Sequence, residues 1–297
     1  MATTVSSRHT QHARYYLSGE GFNIKHPRIP AHTFLAERDM ALSPSTPTGL
    51  IALDLSARLG IAAPVTTPLI LARYARVRTG ESLTTRFTAS GEIYYVITGA
   101  GESDLAPDGL AWEAGDAFCL PGGGVTTHTA HADALLWVVT NEPQLAFEHA
   151  QAFAPDQAPI LPVHYPGGEI RRHLDWIHVQ PRDKVPTGKA VSLGNATLEK
   201  QRTCLPSFTL AMNSLAPGES QRAHRHNAVA VTLIVQGEDC YSMIEGTRVP
   251  WERDAVMVTP PGDLHSHHNE GSGRALFLIV QDGGLHYHTR TMGFSFG

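Results

Sequence analysis

One β-rich pattern occurs twice in this chain of 297 residues, and that repeat constrains the fold more than any other feature. GESLTT at Gly80 matches GESQRA at Gly218, YYVITGAGES matches TLIVQGEDCY, and DAFCLPGG matches DAVMVTPPG. Gly80 and Gly218 are 138 positions apart, as are Gly99 and Gly237, and Pro121 and Pro260 are 139 apart. A near-constant offset over three landmarks indicates one structural unit used twice.

The repeated unit is strand-like. From Leu69 the chain reads LILARYARV, EIYYVITG, DAFCL and ALLWVVT, β-branched and aromatic runs broken at Gly80, Gly99, Gly101, Gly115 and Gly122. From Ala196 the same texture returns in SFTLAMNSLAPGE, VAVTLIVQG, CYSMIEG, DAVMVTPPG and RALFLIVQDGG. Short strands at hairpin intervals predict an all-β sandwich or barrel in each half. Four segments follow: an N-terminal arm over 1–60, a first β domain over 61–142, a connector over 143–194 and a second β domain over 195–297. The arm is broken by His26-Pro27, Ile29-Pro30, Ser43-Pro44 and Thr46-Pro47, which favours extended chain, either an exposed tail or a wrap around a neighbour. Thr10 to Leu17 could form a helical turn or two. In the connector, Gln144 to Phe153 and Glu169 to His178 have helix-like spacing, interrupted by the Pro-rich APDQAPILP and QPRDKVP.

The formal net charge of −5 argues against nucleic acid or an anionic membrane as partner and leaves a small-molecule substrate. Cys119, Cys204 and Cys240 have neither paired nor metal-type spacing, so no disulfide framework or thiolate zinc site is indicated and a reducing cytoplasm fits best. No apolar run reaches signal-peptide or bilayer-spanning length.

The two copies differ at three positions that matter chemically. Thirteen and eleven residues before the landmark glycine stand His224 and His226 in the second copy, but Arg86 and Thr88 in the first. Five after the landmark proline stand His265 and Thr126. On a strand His224 and His226 face the same way while Arg225 faces away. The turn at Pro260-Pro261-Gly262 re-aims the chain so that His265 can join them. Three neutral imidazoles are ligands for divalent iron, manganese, nickel, copper or zinc and leave coordination positions open. All three are absent from the first copy, as expected of a site rather than of scaffold.

The spacings G-x5-H-x-H at Gly218, His224 and His226, and P-x-G-x2-H at Pro260, Gly262 and His265, resemble the two cupin motifs. Over both halves the chain resembles a bicupin, which implies two double-stranded β-helix (jelly-roll) barrels with a short helical connector. AHRHNA…IVQG followed by TPPGDLHSHHNEG is similar to the gentisate 1,2-dioxygenase family and its salicylate and 1-hydroxy-2-naphthoate relatives. The resemblance implies a non-haem iron(II) dioxygenase of extradiol type, using O2 to open the ring of a hydroxylated aromatic acid in aromatic catabolism, and a homo-oligomer. It gives His267, two after His265, the role of a proton donor or acceptor beside the metal. Arg222, two before His224, is a candidate anchor for a substrate carboxylate. Three departures stand beside the resemblance. The family's carboxylate-binding Arg position is Thr232, its Trp-rich run is Gly262-Asp263-Leu264, and the ligands lie in the second barrel instead of the first. The Glu that often follows the second ligand by four is Ala230 here, whereas the first copy has Glu92.

The same three histidines allow two other readings: zinc, manganese or nickel acting as a Lewis acid in an isomerase, hydrolase or lyase, or a small-molecule-binding bicupin without turnover. His286 and His288 alternate without a cupin motif around them and read as a strand edge. His128 and His131 read as structural.

Overall fold

The computed structural model describes residues 8–105, 108–180 and 188–297. The fold is mostly antiparallel β, arranged as two barrels packed side by side. Pro181 to Pro186 of the Pro-rich QPRDKVP stretch lie outside the described residues.

In the first barrel the long strands Gly91–Ser103 and Thr126–Thr140 pair with each other and hold the rest of an eight-stranded sheet. Each is longer than one wall of a barrel, and register shifts between Val96 and Gly101 bend the pair through two walls. Gly99 and Gly101 permit this. Gly99 has φ of +85°, and a Cβ on Gly101 would meet the Thr129 carbonyl oxygen at 2.2 Å. Both faces of the bent strand are buried, so EIYYVI reads as a continuous apolar run with period-two division of labour. Tyr94 and Val96 fill the barrel with Phe87, Phe118 and Trp112, while Ile93 and Tyr95 point outward.

The second barrel has the same strands, split more cleanly into a six-stranded and a five-stranded sheet. The six-stranded sheet runs His32–Phe34, Val256–Thr259, Ala230–Gln236, Ala275–Gln281, Thr209–Leu215, Lys189–Leu193. The five-stranded sheet runs Thr247–Pro250, Cys240–Ile244, His265–Asn269, His224–His226, Phe294–Phe296. Outward residues of both barrels, among them Tyr74, Trp137, Leu233 and Val256, share one hydrophobic cluster, and Tyr74 Oη donates to the Asp254 carbonyl at 2.6 Å.

Two expectations change here. The segment before residue 60 is no mere extended arm. His32–Phe34 pairs with Val256–Val258 of the second barrel, Leu35–Leu42 is a helix, and Gly49–Ala52 pairs with Leu71–Val77 of the first. The prolines interrupt these pieces without preventing pairing, because each piece is an edge strand or a short helix. Thr10–His12 forms one 3-10 turn, and Tyr15, Tyr16 and Leu17 beyond it are exposed. His286 and His288 lie on the helix Gly283–Thr289 and not on a strand edge; the alternation came from a seven-residue helix too short to display its own period. The connector helices run Glu142–Glu148 and Gly167–His178, the latter burying Ile170 and Leu174 one turn apart. No helix among the described residues is long and apolar enough to cross a membrane.

Candidate metal centre

His224 and His226 sit on a three-residue strand whose alternation turns both rings inward and leaves Arg225 exposed. Gly262, at φ of +80°, closes the Pro-Pro-Gly turn, and its N–H donates to the His226 carbonyl at 2.7 Å. That turn delivers His265 opposite His224. Ring centroids lie 5.7 Å apart for His224 and His226, 4.4 Å for His224 and His265, and 4.8 Å for His226 and His265. One nitrogen from each ring lies within 4.8 Å of the others.

The backbone sets the tautomers. Nδ1 of His224 donates to the Arg222 carbonyl at 2.9 Å, Nδ1 of His226 to that of Ala228 at 2.7 Å, and Nδ1 of His265 to that of Asp263 at 2.9 Å. A carbonyl only accepts, so each Nδ1 carries the proton and each Nε2 presents a lone pair. Burial holds all three rings below the ordinary imidazole range, His265 down to about 3, so they are neutral and ligand-ready near pH 7. Gln281 Nε2 donates to the His226 Nε2 lone pair at 3.1 Å.

The triad opens on a cavity of ≈ 340 Å³, lined also by Asn213, Gln221, His267, Ile279, Gln281, Tyr287, Met292 and Phe294. No Arg or Lys is among these described lining residues. Phe294 stacks on His224 at 5.2 Å. Phe294 and His226 also border an outer cleft of ≈ 470 Å³ beside Arg225, so these two side chains lie between the two spaces.

The remaining candidates part company. His267 lines the cavity; Ser242 Oγ lies 2.8 Å from its Nδ1 and accepts from Trp251 Nε1 at 2.8 Å. Ser242 Oγ accepts the Trp N–H and keeps both a proton and a second lone pair for His267 Nδ1; when the serine donates, the imidazole proton sits on Nε2. Arg222 does not reach the cavity: its guanidinium lies over the Phe296 ring, 4.1 Å from the centroid, and its contribution to the site is the carbonyl that orients His224. Thr232 is fully buried and its hydroxyl has no hydrogen-bond partner. Sequence reasoning overlooked Gln281, Asn213 and Phe294, the first two because single amides in apolar strands carry no motif.

The first barrel contains the same relay. Trp112 Nε1 donates to Ser103 Oγ at 3.0 Å, and Ser103 Oγ lies 2.8 Å from His128 Nδ1. There it continues: His128 Nε2 meets Thr85 Oγ1 at 3.2 Å, and that hydroxyl donates to the Thr126 carbonyl at 3.4 Å. Thr85 matches Ala223 at the 138-residue offset, so in the second barrel the relay ends at His267 Nε2 without that cap.

Residues 212–281 match the family model of the cupin domain. A salicylate 1,2-dioxygenase from Pseudaminobacter salicylatoxidans superposes with a TM-score of 0.77 over 92% of this chain and 89% of that one, at 13% sequence identity. The chain has the bicupin fold. Among curated proteins, this bicupin is 36% identical over 91 residues to a gentisate 1,2-dioxygenase of Ralstonia sp, which is 31% of this chain and 25% of the relative. It is 31% identical over 121 residues to a 1-hydroxy-2-naphthoate 1,2-dioxygenase of Nocardioides sp. (strain KP7), 40% of this chain and 27% of the relative. The matched segments thus span about a quarter of these relatives' own length.

Proposed function

We propose that this bicupin is a metal-dependent dioxygenase that opens the ring of a hydroxylated aromatic acid, with iron(II) held by His224, His226 and His265. The observation that carries the reading is the convergence of three neutral, carbonyl-oriented Nε2 lone pairs on one buried cavity. That donor set fits a divalent transition metal with open positions. The similarity to gentisate-type dioxygenases supports iron and this reaction class.

Iron(II) in this site supplies the redox chemistry that couples a chelated aromatic ring to dioxygen. The residues supply the rest. Three neutral ligands leave the metal's double positive charge uncompensated, so the cavity favours an anion such as an ortho-hydroxy carboxylate. With Thr232 at the family's arginine position, the amides of Asn213, Gln221 and Gln281 would hold the carboxylate beside the ion. Phe294, Met292 and Ile279 wall a flat ring and exclude water. His267 presents Nε2–H to the bound ligand when Ser242 donates to its Nδ1.

Anaerobic loading with iron(II), followed by oxygen and a panel of hydroxybenzoates and hydroxynaphthoates, tests this. Oxygen uptake with a new ring-opened absorbance is expected for at least one of them. A loaded protein that consumes no oxygen with any of the panel sinks the proposal.

A further inference from the structure

The strand carrying two of the three ligands is fastened mainly by the edge strand Phe294–Phe296 of its own sheet. His224–His226 pairs with His265–Asn269 at one position, His224 opposite His265. It pairs with the C-terminal strand Phe294–Phe296 at three positions: His224 with Phe296, Arg225 with Ser295, His226 with Phe294. Further bonds flank that ladder. Gly297 N–H donates to the Ala223 carbonyl at 3.0 Å and Asn227 N–H to the Gly293 carbonyl at 3.2 Å. The Asn227 side chain donates to the Thr291 carbonyl at 2.8 Å and accepts from Gly293 N–H at 2.8 Å. In the first barrel the matching residues Arg86, Phe87 and Thr88 lie outside any strand, and among the described residues no strand pairs with them.

We infer that the segment Thr291 to Gly297 is part of the metal centre, a strap that holds the ligand strand extended and so governs how tightly the ion is kept. His224 and His226 project to one side only while their strand is extended, and the strap supplies most of the ladder that keeps it so. The cupin family match ends at residue 281, so the strap lies outside the matched segment. Phe294 and Phe296 are 47% and 39% exposed and form a three-residue edge strand, which places the segment at the low-stability end of local opening. Each opening releases the fastening of two ligands at once. The inference rests on the metal site proposed above and is independent of ring cleavage.

Cobalt(II) alone is the probe, read by its visible absorption bands and by release to excess chelator. Ser295→Pro, in the full chain, removes a ladder donor opposite Arg225; Ser295→Ala is the matched control. A chain ending at Arg290 gives the second variant, with the heptapeptide TMGFSFG added back as a separate strand. Ser295→Pro and the shortened chain are expected to bind cobalt about tenfold or more weakly, the range for lost supports of a ligand shell, and to release it correspondingly faster. Ser295→Ala behaves as the native protein, and the peptide restores affinity to the shortened chain. Native affinity and release rate in a folded Ser295→Pro protein overturn the inference, whatever the shortened chain does. Failure of the native protein to take up cobalt overturns the metal site itself, and the strap's role with it.

Discussion

The two barrels share strand order, landmark turns and a Trp–Ser–His relay, yet their interiors carry different side chains at matched positions. In the first, Tyr94 stacks on Phe118 at 4.7 Å and lies 5.0 Å from His128, with Phe87 and Trp112 completing the fill. In the second, the registers put Thr232 opposite Met257 where Tyr94 stands opposite Phe118. Two stacked rings of the first barrel are thus replaced by a threonine and a methionine in the second. The relay is therefore a property of the fold, since it persists where the ligands are gone. What distinguishes the second barrel is how the relay ends: on a threonine in one, on a cavity in the other. The proposed metal site combines three inward imidazoles with a fourth histidine whose Nε2 lacks the threonine cap.

That comparison can be broken at several points. The largest effect is expected from His226→Thr, which installs the first barrel's residue: metal uptake and any oxygen consumption disappear while far-UV circular dichroism is unchanged. Ala223→Thr recreates the first barrel's cap on His267. It should leave metal content intact and lower kcat about tenfold or more, the scale of lost proton-transfer assistance, with a changed pH profile. Normal kcat in that variant removes His267 from the chemistry.

A smaller effect belongs to the first barrel. Glu92 is buried beside Tyr94, and burial pushes its carboxyl up to about 8. The folded state thus holds a proton that the unfolded chain gives up near the ordinary Glu value, so stability falls as pH rises between about 4.5 and 8. Glu92→Gln should be near neutral at pH 4 and stabilising by about 2–4 kcal/mol at pH 8, measured by denaturant unfolding. A pH-independent difference would contradict this account. The smallest effect is expected for Arg86→His, Thr88→His and Thr126→His combined: metal stoichiometry stays as it was, because Tyr94 and Phe118 occupy the interior.

The repeat made most of this legible in advance. A near-constant offset exposed the candidate ligands by showing where Arg86, Thr88 and Thr126 stand instead, because substitution at matched positions separates site from scaffold. The same offset pairs Ser103 with Ser242, Trp112 with Trp251 and His128 with His267, so the relay was within reach of a fuller alignment of the two halves. Other features had no local signal. Phe294–Phe296 is three residues long and acquires meaning only from its partner strand. Arg222 precedes a ligand by two and would face the site on an ideal strand, but the described strand begins at His224 and the guanidinium settles on Phe296. The pairing of His32–Phe34 with Val256–Val258 joins residues more than two hundred positions apart, beyond any pattern in a short window.

That pairing also bears on cooperativity. The second barrel's outer strand is contributed by chain that precedes the first barrel, and Gly49–Ala52 from the same segment borders the first. A fragment starting at residue 195 would lose that strand and bare the backbone of Val256–Val258 as an open edge prone to association. Nor would a cut in the connector free one half from the other, since the leading segment would still clasp both across their common hydrophobic face. The two barrels are thus one unfolding unit, and heat should melt them in a single transition.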